Sequence, residues 1–216
     1  ISNPSNLVNK ITILEGWSKD NLNKEFKKYF NNVYEVEYDD IIADTYFFNK
    51  NEDFAIFIEK LKVHKKNYVN KFLDNIFFEN FNEFDLFKIA SLIEKEGLDK
   101  NDKKKIYSVI YNRLNINMKL QIDATVLYAI TDGKYNLNRN LNLNDLKIQH
   151  PYNTYYIYGL PPKPIAYVGT KTLELIFENY ESDYLFYFFD NTLNRHIFSK
   201  NFNDHKIRLN EYRNKK

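Results

Sequence analysis

Residues 89–98, IASLIEKEGL, place two glutamates at the end of an apolar pattern that repeats every three or four positions. Leu86, Ile89, Ala90 and Ile93 share one arc of a helix over 84–96, and Gly97 follows as the residue just past its end. Glu94 lies on one border of that arc, beside Ala90 and Phe87. Glu96 is turned about 160° from it, on the opposite border between Ile89 and Leu92. Burial against apolar side chains and the negative end of the helix dipole both favour the protonated form of a carboxyl group in either place. A carboxyl kept protonated near neutral pH is what general acid catalysis needs. A border glutamate that reaches solvent, or pairs with Lys88, Lys95 or Arg113, fits the same spacing, and periodicity alone does not choose between Glu94 and Glu96.

Downstream, a second helix is expected over 101–115, capped by Asn101 or Asp102, with Ile106, Val109, Ile110 and Leu114 on one face. DATVLYAIT, residues 123–131, gives a third, stopped by Gly133. PYNTYYIYGLPPKPI, residues 151–165, holds four of the five prolines and cannot be one regular element; a long, rigid, aromatic loop of this kind suits ligand binding. TKTLELIFEN (170–179) reads as a helix, and YLFYFFD (184–190) with HIFSK (196–200) alternates like a two-stranded hairpin. Upstream, VNKITILE (8–15) reads as a short strand and Ser18 as the N-cap of a polar helix. ADTYFFNKNED (43–53) opens a long helical stretch over 54–77 with Phe54, Phe57, Ile58 and Leu61 on its apolar side and a solvated basic centre. This order predicts an α+β fold, with a small strand-helix region and long helix over 1–80 and a larger helical and hairpin domain over 81–216.

Composition narrows the function. The 31 basic and 29 acidic residues leave a net charge of +2, too little for a global field directed at nucleic acid. With no Cys there are no disulfides, thiolate metal sites or Cys nucleophile, and four dispersed His do not suggest zinc. No glycine loop for phosphates occurs, and no metal or cofactor is expected. No run of about 18 apolar residues is present to span a membrane. The chain starts at Ile1, so a processed or truncated form is expected, with a signal or anchor upstream.

Four blocks in order carry a family resemblance: IASLIEKE (89–96), VIYNRLNINMKLQIDATVLYAI (109–130), HPYNTYYIYGLPPKPI (150–165) and HIFSKNFNDH (196–205). Their order and spacing resemble the MltG (YceG-like) endolytic murein transglycosylases, and ITILEGWS and DTYFFNKNEDFAIFIEKL resemble that family's segment ahead of its catalytic domain. The resemblance puts the catalytic acid on the first Glu of EKE, Glu94. It carries Gln121, Asp123 and Thr125 over as cleft residues, together with Tyr152, Asn153, Thr154 and Tyr155 of the YNTY block and His196 of the H-x-F pattern. Ile122, Ala124, Lys163 and Val168 depart from the usual Ser, Pro, Gly and Pro, which touches loop geometry and subsite preference while leaving the polar residues in place.

The implied reaction is cleavage of the β-1,4 bond between N-acetylmuramic acid and N-acetylglucosamine, with the substrate's own 6-hydroxyl closing a 1,6-anhydro ring, so one carboxyl group serves both steps. Asn153 and Gln121 suit either sugar contacts or loop hydrogen bonding, and Tyr152 and Tyr155 either sugar faces or packing. His196 could orient Glu94, bind substrate or be structural, and Asn112 and Arg113 could lie near Glu94, with a helix-surface ion pair as the other reading for Arg113. Expected partners are peptidoglycan strands and, beside them, murein synthases, with the full-length protein anchored in the cytoplasmic membrane and its catalytic domain outside. A hydrolytic muramidase using Asp123 as second carboxylate, and a non-catalytic murein-binding module, are the competing readings.

Overall fold

Asn82 starts the central helix: its side chain accepts from the Asp85 N–H at 2.9 Å while the Asp85 carboxylate accepts from the Asn82 N–H, a reciprocal cap. The computed structural model, which describes residues 8–214, places this helix, α4, at Glu83–Glu96. In chain order it is preceded by β1 (Val8–Thr12), α1 (Lys19–Phe26), β2 (Thr45–Asn49), α2 (Phe54–Asn70) and α3 (Phe77–Asn80). It is followed by α5 (Lys100–Asn115), α6 (Asp123–Thr131), a 3-10 turn at Asp145–Lys147, α7 (Thr170–Phe177), β3 (Phe186–Asp190), β4 (Arg195–Ser199) and α8 (Phe202–Asn214). The fold is α+β. The first seven residues of the expected 1–80 unit and the last two of 81–216 lie outside the described residues.

α4 buries Leu86, Phe87, Ile89, Ala90, Leu92 and Ile93 against α5, α6 and α7, which makes it the axis of the larger apolar core. Each such aliphatic or aromatic side chain contributes about 1.5–3 kcal/mol by leaving water. The cap of α5 is Asp99, ahead of the expected Asn101 or Asp102, because its carboxylate accepts from the Asp102 N–H at 2.9 Å. α6 stops at Asp132 in left-handed backbone, one residue before Gly133. β3 and β4 pair antiparallel with Tyr187 opposite Phe198 and Phe189 opposite His196. α8, which the sequence reading did not anticipate, packs on this hairpin through Phe202 against Phe186 at 5.7 Å.

A second core is richer in aromatic rings, half of its buried side chains: Phe30 stacks on Phe48 at 4.9 Å and on Phe57 at 5.3 Å, with Phe26 and Phe54 edge-on to each other. The lead-in to the long helix is in part a strand. Residues 45–49 pair antiparallel with β1, Tyr46 and Phe48 facing the core and Phe47 being 66% exposed, an alternation of period two. Asp53 then caps α2, which ends at Asn70 rather than continuing to residue 77. The two cores are stitched together. Tyr167 is buried in the aromatic one and Ile42 in the larger one, and the backbone links Gly16 with Tyr167 (2.8 Å), Trp17 with Tyr167 (3.0 Å) and Ala43 with Val168 (2.8 Å). Among the described residues no helix is long and apolar enough to cross a membrane.

Candidate active site

The two glutamates of α4 face different neighbours. Glu94, with a side chain 3% exposed, forms an ion pair with Lys103 of α5, and its Oε1 accepts from the Gly169 N–H at 3.2 Å. Gly169 is the N-cap of α7 and has no side chain to cap with, so Glu94 supplies a carboxylate to that helix start from another element. Lys103 also donates to Thr172 Oγ1 of α7 at 3.1 Å. To reach Glu94 it passes over Gly97, where a Cβ would stand 2.3 Å from Lys103 Cγ and 3.0 Å from the Ile93 carbonyl oxygen. Glycine is required there by close approach, since its φ of −82° is open to any residue.

Glu96 ends α4 on the other side, partly exposed, against α6 and the hairpin. Its Oε1 accepts from the Ala124 N–H at 3.4 Å and its Oε2 from the Tyr187 hydroxyl at 3.3 Å. Burial, and then the charge of Asp123, push the Glu96 carboxyl above its ordinary range, against a weaker pull from the Ala124 N–H, His196 and Tyr187. Asp123 Oδ1 accepts from the Tyr155 hydroxyl at 2.6 Å. Burial first, then the carboxylate each touches, raise both phenols, so Tyr155 and Tyr187 stay hydrogen-bond donors. α6 begins at Asp123 without a side-chain cap, which leaves its positive end facing both carboxyl groups.

The remaining expected site residues divide. Gln121 is exposed and holds left-handed backbone (φ 51°), a costly conformation for a residue with a Cβ, while its N–H donates to the Thr154 carbonyl at 3.2 Å. Thr125 and Thr154 are fully buried and bond each other through their hydroxyls at 2.8 Å, and Thr154 Oγ1 accepts from the Ile122 N–H at 2.9 Å. Asn153 is also fully buried. Its amide donates to the carbonyls of Leu146 (3.0 Å) and Ile148 (2.8 Å), and its Oδ1 accepts from the Tyr155 N–H at 2.9 Å. These three therefore fix the loop that delivers Tyr155 to Asp123, with their side-chain polar atoms bonded inside the protein. Tyr152 packs between Tyr128 (4.7 Å) and His150 (5.8 Å).

His196 does not meet Glu94. Its Nδ1 lies 2.9 Å from Asp102 Oδ2, and its ring meets Tyr187 edge-on at 5.3 Å, so it braces the tyrosine that bonds Glu96. Arg113 is not on the helix surface. It is buried beneath the hairpin, donating to the Leu185 carbonyl at 2.7 Å and the Leu120 carbonyl at 2.5 Å, and burial pulls its pKa down. Asn112 donates to the carbonyls of Ser182 (2.7 Å) and Tyr184 (2.9 Å) and is likewise structural. Tyr187 and Lys103 were not singled out by sequence reasoning; strand alternation marks Tyr187 only as one face of a hairpin. Among the described residues no group of three or more His, Cys, Asp or Glu could hold a metal ion.

A groove of about 800 Å³ opens from Asp123 and Ala124 and runs past Lys95 between the start of α1 and the loop that follows α6. A partly exposed carboxyl with a raised pKa, a second carboxylate beside it and a groove leading away suit proton transfer to a bond in an extended substrate.

Known proteins similar to this chain identify its family. An endolytic murein transglycosylase of Bacillus subtilis (strain 168) is 42% identical over 127 residues, which are 59% of this chain and 34% of that protein. Its counterpart in Streptococcus pneumoniae serotype 2 is 35% identical over 163 residues, 73% of this chain and 29% of that protein. The chain thus spans about a third of the length of the curated relatives it matches. The 2.6 Å crystal structure of a putative yceG-like protein from Listeria monocytogenes matches with a TM-score of 0.75 at 26% identity, covering 91% of this chain and 75% of that one. The model of the YceG-like family matches residues 1–211, with α4, the α6 start and the hairpin all inside the match, and the chain belongs to that family.

Proposed function

We propose that this chain is the catalytic part of an endolytic murein lytic transglycosylase, with Glu96 as its single acid and base. The observation that carries the assignment is the pair of environments at the end of α4. Glu94 is neutralised by the Lys103 ammonium and also bonds the Gly169 N–H, whereas Glu96 has only uncharged donors, the Ala124 N–H and the Tyr187 hydroxyl, and its carboxyl is pushed up by burial and by Asp123, which lines the groove together with Ala124. Glu96 replaces Glu94 as the expected acid for that reason.

Protonated Glu96 gives its proton to the glycosidic oxygen as the bond from the muramic acid C1 breaks. Asp123, held by Tyr155, offers negative charge to the oxocarbenium-like centre that develops. The 6-hydroxyl of the same sugar then bonds to C1, and its proton returns to the Glu96 carboxylate, leaving a 1,6-anhydro end and a restored acid. Because murein lies outside the cytoplasmic membrane, the proposal puts this domain on that side, anchored in its full-length form and working beside murein synthases. The support for anchoring and for synthase partners is the family resemblance.

Digestion of purified murein with mass spectrometry of the released ends tests the reaction. Products lighter by one water, with anhydro ends, are expected. Reducing ends would turn the reading to a hydrolytic muramidase with Asp123 activating water, and binding without cleavage to a murein-binding module.

A further inference from the structure

The groove that leaves the candidate site carries more positive than negative charge. Its ionic lining is Lys24, Lys95, Lys134 and Arg139 against Asp20 and Asp123. Three of the cations already have carboxylate partners: Lys24 with Asp20, Lys134 with Asp132 and Arg139 with Asp145. Lys95 has none among the described residues. Its ammonium reaches only the Gly16 carbonyl, at 3.4 Å, and Gly16 lines the same groove. Lys95 also directly precedes Glu96 in the chain, and it lines the same groove as Asp123 and Ala124, the residues that act on Glu96.

N-acetylated sugar rings are neutral and offer nothing for such a cation to pair with. In murein the formal negative charge close to the glycan is on the carboxylates of the peptide that hangs from the muramic acid lactyl group. We infer that the groove between the start of α1 and the loop after α6 is a subsite for this anionic stem peptide, with Lys95 as the residue that recognises its carboxylate. The inference rests on the murein reading above. It assigns α1, outside the larger core, a role in choosing peptide-bearing muramic acid as the sugar that is cut, with Ser18 and Asn21 lining the same wall.

The test is equilibrium binding, which does not depend on turnover. Glu96→Gln protein is titrated with soluble glycan strands bearing stem peptides and with the same strands whose peptide carboxylates have been converted to neutral amides, with and without Lys95→Ala. Strands with free carboxylates should bind about threefold to fivefold more tightly, the range of one partly exposed ion pair. The preference should shrink with added salt and fall close to one in the Lys95→Ala protein. Equal affinity for both strands, or a preference that survives Lys95→Ala, would overturn the inference. Failure of the catalytic reading would appear separately, as intact strands after incubation with the unsubstituted chain.

Discussion

The Glu94 and Glu96 regions are two residues apart on one helix, yet one carboxylate is matched by an opposite charge and the other is not. Around Glu94, three helices meet in a small polar knot: Lys103 from α5, and Gly169 and Thr172 from the start of α7. Around Glu96, the hydrogen-bond partners are an N–H and a hydroxyl, neither of them charged, and the charge that acts on it most strongly is the like charge of Asp123. The first arrangement spends its electrostatics on holding α4 to its neighbours; the second leaves a carboxyl uncompensated beside a groove. A strained, like-charged pair next to a fully satisfied one is how a stable scaffold comes to present a reactive group.

If that contrast is right, the largest loss of stability comes from the matched side. Glu94→Gln strands the Lys103 ammonium in a confined site and should cost about 3 kcal/mol, the usual range for removing one partner of a buried pair, read by chemical denaturation. Gly97→Ala comes next. The added Cβ meets Lys103 Cγ and the Ile93 carbonyl, so about 1–3 kcal/mol of overpacking is expected in the same measurement, with Lys103 pushed off Glu94.

On the unmatched side the sign reverses. Glu96 has a folded-state pKa above its ordinary value of 4.5, so the folded protein binds more protons than the unfolded chain in the window above that value. Stability from this group is complete below pH 4.5 and is lost as pH rises through the raised folded pKa. Glu96→Gln removes that penalty and should be more stable than the parent at pH 7, with the advantage shrinking toward pH 4.5 in thermal melts across pH. The smallest effect concerns Ala124, where the family resemblance has a usual proline. Ala124→Pro suits the first turn of α6 but deletes the N–H that reaches Glu96 at 3.4 Å. The basic limb of the pH–rate profile should move up while the fold is kept, whereas an unmoved limb would mean that this N–H does not act on Glu96.

Much of the scaffold was legible in sequence. α4 to α7 and the hairpin follow from three- and four-residue or two-residue periodicity with capping residues and turns, and those signals are local. What periodicity lacks is the identity of the neighbour across a border. A helical wheel puts both glutamates on the edges of the same arc, but which edge meets α7 and which meets α6 is set by contacts 75 and 28 residues away. The same limit explains Asn153 and Thr154. Their amide and hydroxyl groups suit a sugar as well as a backbone, and only the folded path of the loop shows them turned inward to Leu146, Ile148 and Ile122. β2 was missed because TYFFN runs directly into polar and acidic residues, Lys50 to Asp53, that read as a helix approach, and only pairing with β1 makes its alternation meaningful.

The central claim is that Glu96, and not Glu94, moves the proton. The most direct measurement is the initial rate of murein cleavage by the parent, Glu96→Gln and Glu94→Gln proteins, at a temperature where circular dichroism shows all three folded. The account predicts a loss of about a hundredfold or more for Glu96→Gln and a much smaller one for Glu94→Gln. A Glu96→Gln protein that cuts at the parental rate while folded Glu94→Gln is inactive would contradict it.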